Sequence, residues 1–141
     1  MTPQTAILQP VVALILWSMI IWAWMYATRL PAMRRAGVAL DPDKPPRELT
    51  AGLPATVRWK ADNYNHLMEQ PTLFYAVALT LALLGAGSGL NAMIAWGYVA
   101  LRIVHSLVQV LGNRIALRFG VFMLASFCLI ALAIRAAMIV F

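Results

Sequence analysis

Acidic residues are scarce in this chain: Asp and Glu together number 5 among 141 residues, against 11 Lys and Arg. Charged residues of both signs make up only 11% of the chain, while 62% of it is hydrophobic. A water-soluble domain of this size carries a far more charged surface, so the shortage excludes an ordinary soluble fold. Cys128 is the only cysteine, which excludes an intrachain disulfide. Its place inside an apolar run fits a buried thiol better than a reactive one. The net charge of +6 does not point to nucleic acid, because the basic residues flank long apolar runs and form no soluble amphipathic face. There is no phosphate-binding loop and no dinucleotide fingerprint. His66 and His105 lack accompanying cysteines at metal-ligand spacing, so no metal is expected.

What the chain does have is four apolar stretches, which predict a single all-α integral membrane domain over residues 1–141, a bundle of four transmembrane helices. The spans are expected at about 6–27, 67–87, 90–112 and 119–141. Residues 1–4 supply no basic n-region, and the apolar run from Ala6 to Ala27 is too long for a signal peptide. It reads as a retained membrane anchor. Trp17, Trp22, Trp24 and Tyr26 crowd the second half of that run, as expected where a helix nears the headgroups. A loop is expected from Thr28 to Pro54, because Pro31, Pro42, Pro45, Pro46 and Pro54 argue against a long helix there. The second helix should begin near Thr56 in a polar segment that projects beyond the bilayer, and Pro71 should bend it. Gly85 to Gly89 is an uncharged turn, and Asn113 to Arg118 a short basic connection. The first and third connections hold the basic residues and the second holds none. The positive-inside rule then places both termini on the non-cytoplasmic side, with the basic loops in the cytoplasm, in the inner membrane if the source is bacterial. Arg135, far along the fourth span, is expected to snorkel to the outer interface.

Two polar faces stand out. Arg58, Asp62, Asn65 and Glu69 fall within roughly 60° of one helix face, bordered by His66. For Arg58 and Asp62 a solvated face is an equal reading. Glu69 lies just before Pro71 and the apolar run, where an unpaired carboxylate is costly and should find a cation or hydrogen-bond donors. On the third span, Arg102, His105, Gln109 and Asn113 share a face that must avoid lipid. The alternatives there are a functional site and a structural polar seam between helices. Arg29, Arg114 and Arg118 sit at the basic boundary as headgroup anchors or as ligands for an anion.

The run Asn65-His66-Leu67-Met68-Glu69-Gln70-Pro71, followed by Leu73-Phe74-Tyr75, resembles the second-helix signature of the MAPEG family, the membrane-associated proteins of eicosanoid and glutathione metabolism. Arg102-Ile103-Val104-His105, with Arg118 thirteen residues after His105, resembles the family's second signature, closest to the microsomal prostaglandin E synthase branch. The resemblance covers essentially the whole chain. It implies a homotrimer with glutathione bound between subunits towards the cytoplasmic side, acting as a transferase or peroxidase on a lipophilic small molecule among membrane lipids. Carried over by position, Glu69 holds the amino end of glutathione. Arg29 helps hold the site, as do Asn65 or His66, and Arg102, His105 and Gln109 line its peptide part. Arg118 stands where the family stabilises the thiolate, the nucleophilic form of the thiol.

There are departures from the family pattern. Asp62 replaces an arginine expected seven residues before the glutamate, and His66 replaces an asparagine, with Asn65 one place earlier. Gln109 replaces a tyrosine, and Phe119 follows Arg118 in place of a serine. They leave room for a rival, a non-catalytic relative that binds a lipid or a partner. A third possibility is a small transporter that conducts along the Arg102 and His105 stripe.

Overall fold

The computed structural model describes residues 5–141, and residues 1–4, on which part of the signal-peptide argument rests, lie outside the described residues. Six helices follow in order: α1 (Leu8–Arg35), α2 (Pro46–Leu49), α3 (Ala55–Leu67), α4 (Pro71–Leu83), α5 (Leu90–Leu111) and α6 (Ile115–Val140). No strand occurs among the described residues. Helices α1, α5 and α6 are each long and apolar enough to cross a membrane.

Two helix boundaries differ from the sequence expectation. α1 does not stop near Ala27 but runs on to Arg35, with Pro31 inside it. Pro31 removes its own N–H bond and crowds the carbonyl four residues back, and packing of α1 against α3 supports the helix through it. Arg29, Arg34 and Arg35 therefore stand on a helix. Nor is the second expected span one bent helix. It is broken into α3 and α4, of 13 residues each, and neither alone meets the length of a membrane crossing. α3 ends at Leu67, and the Met68 amide closes a tight turn on the Asn65 carbonyl at 3.0 Å. Pro71 then opens α4, a position where the missing N–H costs nothing.

The break is tied to the bundle by Gln70. Its Nε2 donates to Ser126 Oγ on α6 at 2.9 Å, and its Oε1 accepts from the Tyr98 hydroxyl on α5 at 3.3 Å. At the opposite end of the bundle the Ile7 amide donates to the Gly87 carbonyl at 2.8 Å, fastening the start of α1 to the α4–α5 turn. That turn needs left-handed backbone at Gly85 and Gly89, both with positive φ.

α5 is the most enclosed of the three long helices and packs on α1, α3 and α6. Its buried stripe recurs every three or four residues: Ala95, Tyr98, Val99, Arg102, His105, Ser106 and Gln109. α6 faces it with Val121, Ala125, Leu129, Leu132 and Ala136, and a β-carbon on Gly97 would lie 3.8 Å from Cys128 Sγ. Small residues matter here because lipid is as apolar as leucine, so helices associate through close packing and polar contacts. The outward faces of α1 and α6 carry Leu16, Met19, Ile20, Leu124, Phe127 and Ile130, all exposed in the isolated chain, as a lipid-facing surface requires.

Candidate functional site

The polar residues of α5 converge with α3 and α6. Arg102 is 0% exposed, and its Nη2 donates both to His66 Nδ1 and to the His66 carbonyl, each at 2.9 Å. A guanidinium has no acceptor, so His66 Nδ1 must present a lone pair and any ring proton must sit on Nε2. The His105 ring stacks on that of His66, centroids 4.8 Å apart. Phe122 of α6 closes the group, edge-on to His66 at 5.3 Å and 5.8 Å from the Arg102 guanidinium carbon. Arg118, one helical turn before Phe122, lies within electrostatic reach of both histidines and donates from Nη1 to Asn113 Oδ1.

Several buried polar atoms have no partner: Arg102 Nε and Nη1, Arg118 Nε, His105 Nδ1, Ser106 Oγ and Gln109 Oε1. Buried polar groups are normally bonded. Here unpaired donors and acceptors recur along the buried stripe of α5 and at Arg118 on α6. The amide of Asn63, fully buried on α3, is unpaired at both ends.

The sequence-derived site residues thus separate into two groups. His66, Arg102, His105, Gln109 and Arg118 gather on or beside the α5 stripe. Glu69 and Asn65 do not join them; both are exposed. The expected pairing of Glu69 is absent, since the one ion pair among the described residues is Lys44 with Asp41 at 3.9 Å. The Glu69 carboxylate acts on Arg102 and His66 only through space. The reason is the chain break: α3 ends at Leu67, so Glu69 does not continue the face that carries His66. Asn113 also leaves the stripe. α5 ends at Leu111, and Asn113 sits in the connection with a φ of 46°. Arg135 does not simply reach for an interface, because its Nε donates to Asn91 Oδ1 at the start of α5.

Arg29 and Asn65 meet elsewhere. They line a cleft of about 330 Å³ between the end of α1, α2 and the start of α3, together with Arg47, Thr50, Arg58 and Asp62. Phe122 and Asn63 escaped sequence reasoning. Phe122 was findable, four residues after Arg118 and so on its helix face. Asn63 was findable only from the Lys60, Asn63, Leu67 spacing of the buried side of α3.

Long apolar helices enclosing a cluster of arginine and histidine define an integral membrane protein with a polar site inside its helix bundle. The MAPEG family profile matches residues 7–138, nearly the whole chain, and the protein belongs to that family. No curated protein and no solved structure matches it.

Proposed function

We propose that the protein is a membrane-bound, glutathione-dependent transferase or peroxidase acting on lipophilic electrophiles. The observation that carries this reading is the buried Arg102–His66–His105 cluster beside Arg118, with unpaired donors, in a chain of the MAPEG family. Unpaired guanidinium nitrogens fit a peptide that carries carboxylates, since guanidinium matches carboxylate geometry. Gln109 Oε1 offers the complementary acceptor for a peptide N–H. Glutathione, when bound, supplies the thiol that attacks the electrophile.

The chain's own residues do the rest. Arg118 provides a positive charge at the sulfur, which favours thiolate over thiol. Arg102 orients the two histidines through its paired bonds to His66. The apolar faces of α1 and α6 admit a substrate from the lipid. In this reading α4, about 20 Å long, completes a fourth crossing with the end of α3. Both termini are non-cytoplasmic, and three copies close the site, bringing Glu69 and Asn65 of one subunit to a neighbour.

The test is a glutathione titration of the purified protein with a chloro-dinitrobenzene conjugation assay. Saturable binding and an activity lost in Arg118→Met, with the oligomer intact, are expected. No binding at millimolar glutathione sinks the proposal. The rival reading is a non-catalytic relative that binds a lipid or a partner. It is favoured by Asp62, Gln109 and Phe119, and glutathione-dependent turnover that needs Arg118 excludes it as the sole function.

A further inference from the structure

Arg135 lies towards the end of the bundle away from the histidine cluster, and the proposed glutathione chemistry makes no use of it. It follows Arg118 by 17 residues on the same helix, a rise of about 25 Å. With Arg118 at one headgroup boundary, that rise nearly spans a hydrocarbon core of about 30 Å. Arg135 is exposed. So are the apolar side chains of its helix neighbours Ile134, Met138 and Ile139, and of Leu90 at the start of α5. A cation on such a lipid-facing surface is costly unless it finds a partner.

Its partner within the chain is neutral. Nε donates to Asn91 Oδ1, and the buried Asn91 in turn donates from Nδ2 to the Ala86 carbonyl at 2.8 Å. This relay ties Arg135 to the α4–α5 turn. With Nε committed, Nη1 and Nη2 have no partner among the described residues. They form a planar fork that matches two oxygens of one anion. A second copy of the chain is a poor source of that anion. All five side-chain carboxylates, Asp41, Asp43, Glu48, Asp62 and Glu69, come before α4. The whole of α4, 13 residues or about 20 Å, separates the last of them from the turn beside Arg135. A neighbour inserted in the same orientation therefore brings no side-chain carboxylate to this level. The anion that a membrane holds there is a lipid phosphate.

We propose that Arg135 binds the phosphate of an anionic phospholipid through Nη1 and Nη2, in the leaflet at the α4–α5 end, with the acyl chains over the apolar surface beside it. This site is independent of the function proposed above. An anionic headgroup is preferred to a zwitterionic one, because a cation gains from a net negative lipid and no acid stands near to receive a headgroup's own cation.

The experiment uses the full chain purified in detergent, with native mass spectrometry of retained phosphatidylglycerol and phosphatidylcholine of the same acyl chains. Arg135→Gln, which keeps an amide donor for Asn91, should weaken the retention of one phosphatidylglycerol per chain about tenfold and leave phosphatidylcholine unchanged. Asn91→Asp places a carboxylate beside the arginine and should have the same effect with Arg135 intact; it decides the matter if Arg135→Gln does not fold. Arg34→Gln removes an equal charge at the other end of the molecule and should leave this lipid in place. Unchanged phosphatidylglycerol retention in a folded Arg135→Gln, or in Asn91→Asp, overturns the proposal. An equal loss in Arg34→Gln reveals only the general attraction of a basic chain for anionic lipid and also overturns it. Dissociation of an oligomer in Arg135→Gln with lipid retention unchanged makes a second copy the partner. A rise in melting temperature with inorganic phosphate equal to that with phosphatidylglycerol makes the site one for free phosphate. Either result overturns the proposal.

Discussion

Arg102 is a full charge held out of solvent without a carboxylate beside it, bonded only to His66. Burying a charge without a counter-charge costs stability, while removing it leaves the His66 Nδ1 and carbonyl without their donor, so the two effects oppose each other. Arg102→Met is therefore expected to leave the melting temperature in detergent little changed, while kcat/KM with glutathione falls about a hundredfold. A variant that loses both together would make Arg102 a structural residue. Lys60 is the second buried cation. Its Nζ donates to the Thr56 carbonyl at 2.9 Å and lies 5.2 Å from the Trp24 ring centroid, where α3 meets α1. Burial pushes its ammonium below the usual value of 10.5. Between that lowered value and 10.5 the unfolded chain binds more protons than the folded one, so this residue's contribution makes stability rise with pH across that alkaline window. Lys60→Met should abolish that rise, read as the difference between the two melting-temperature profiles. Parallel profiles would show that the lysine titrates normally.

At the scale of elements, the break between α3 and α4 decides the most. Gln70 is its anchor, joining α4 to the α5 tyrosine and the α6 serine. Gln70→Leu leaves the Tyr98 hydroxyl without this acceptor, and Ser126 keeps only its bond to the Phe122 carbonyl. The expected cost is about 1–3 kcal/mol, measured by reversible denaturation in micelles. A loss of glutathione binding should accompany it, since His66 and Glu69 flank the break. A variant as stable as the parent would mean that packing alone holds the break. α1 supplies a second lesson at this scale. Pro31 failed to end it, because a helix already packed along its length tolerates one missing bond.

For the whole molecule, the arrangement of basic connections makes a testable topology. The proposed four crossings put α2 and the α5–α6 connection on one side of the membrane and the α4–α5 turn on the other. Cys128 is the only native cysteine, so single reporters are easily placed in a Cys128→Ala background. Ala51→Cys and Ala116→Cys should react with an impermeant maleimide only after the cytoplasmic side is opened, and Ser88→Cys should react in intact cells. Labelling of all three from one side would refute the crossing pattern.

The amino-acid sequence by itself determined that the chain lives in a membrane, that it is helical, and that Arg102, His105 and Gln109 share one protected face. Those properties are local. They follow from the length of the apolar runs and from a period of 3.6 residues, which any reader of the sequence can count. The signatures around Glu69 and His105 likewise led to the family before any fold was known. Only the tertiary structure decided which polar residues meet. His66 turns inward to Arg102 and Glu69 stays outside, because the helix ends between them. Arg47 and Arg58 join Arg29 at one cleft, although 18 and 29 positions separate them from it in the sequence. Periodicity places residues on faces, but it does not say which faces touch. That depends on where a helix breaks and on how a loop folds back, and both are set by packing across the bundle.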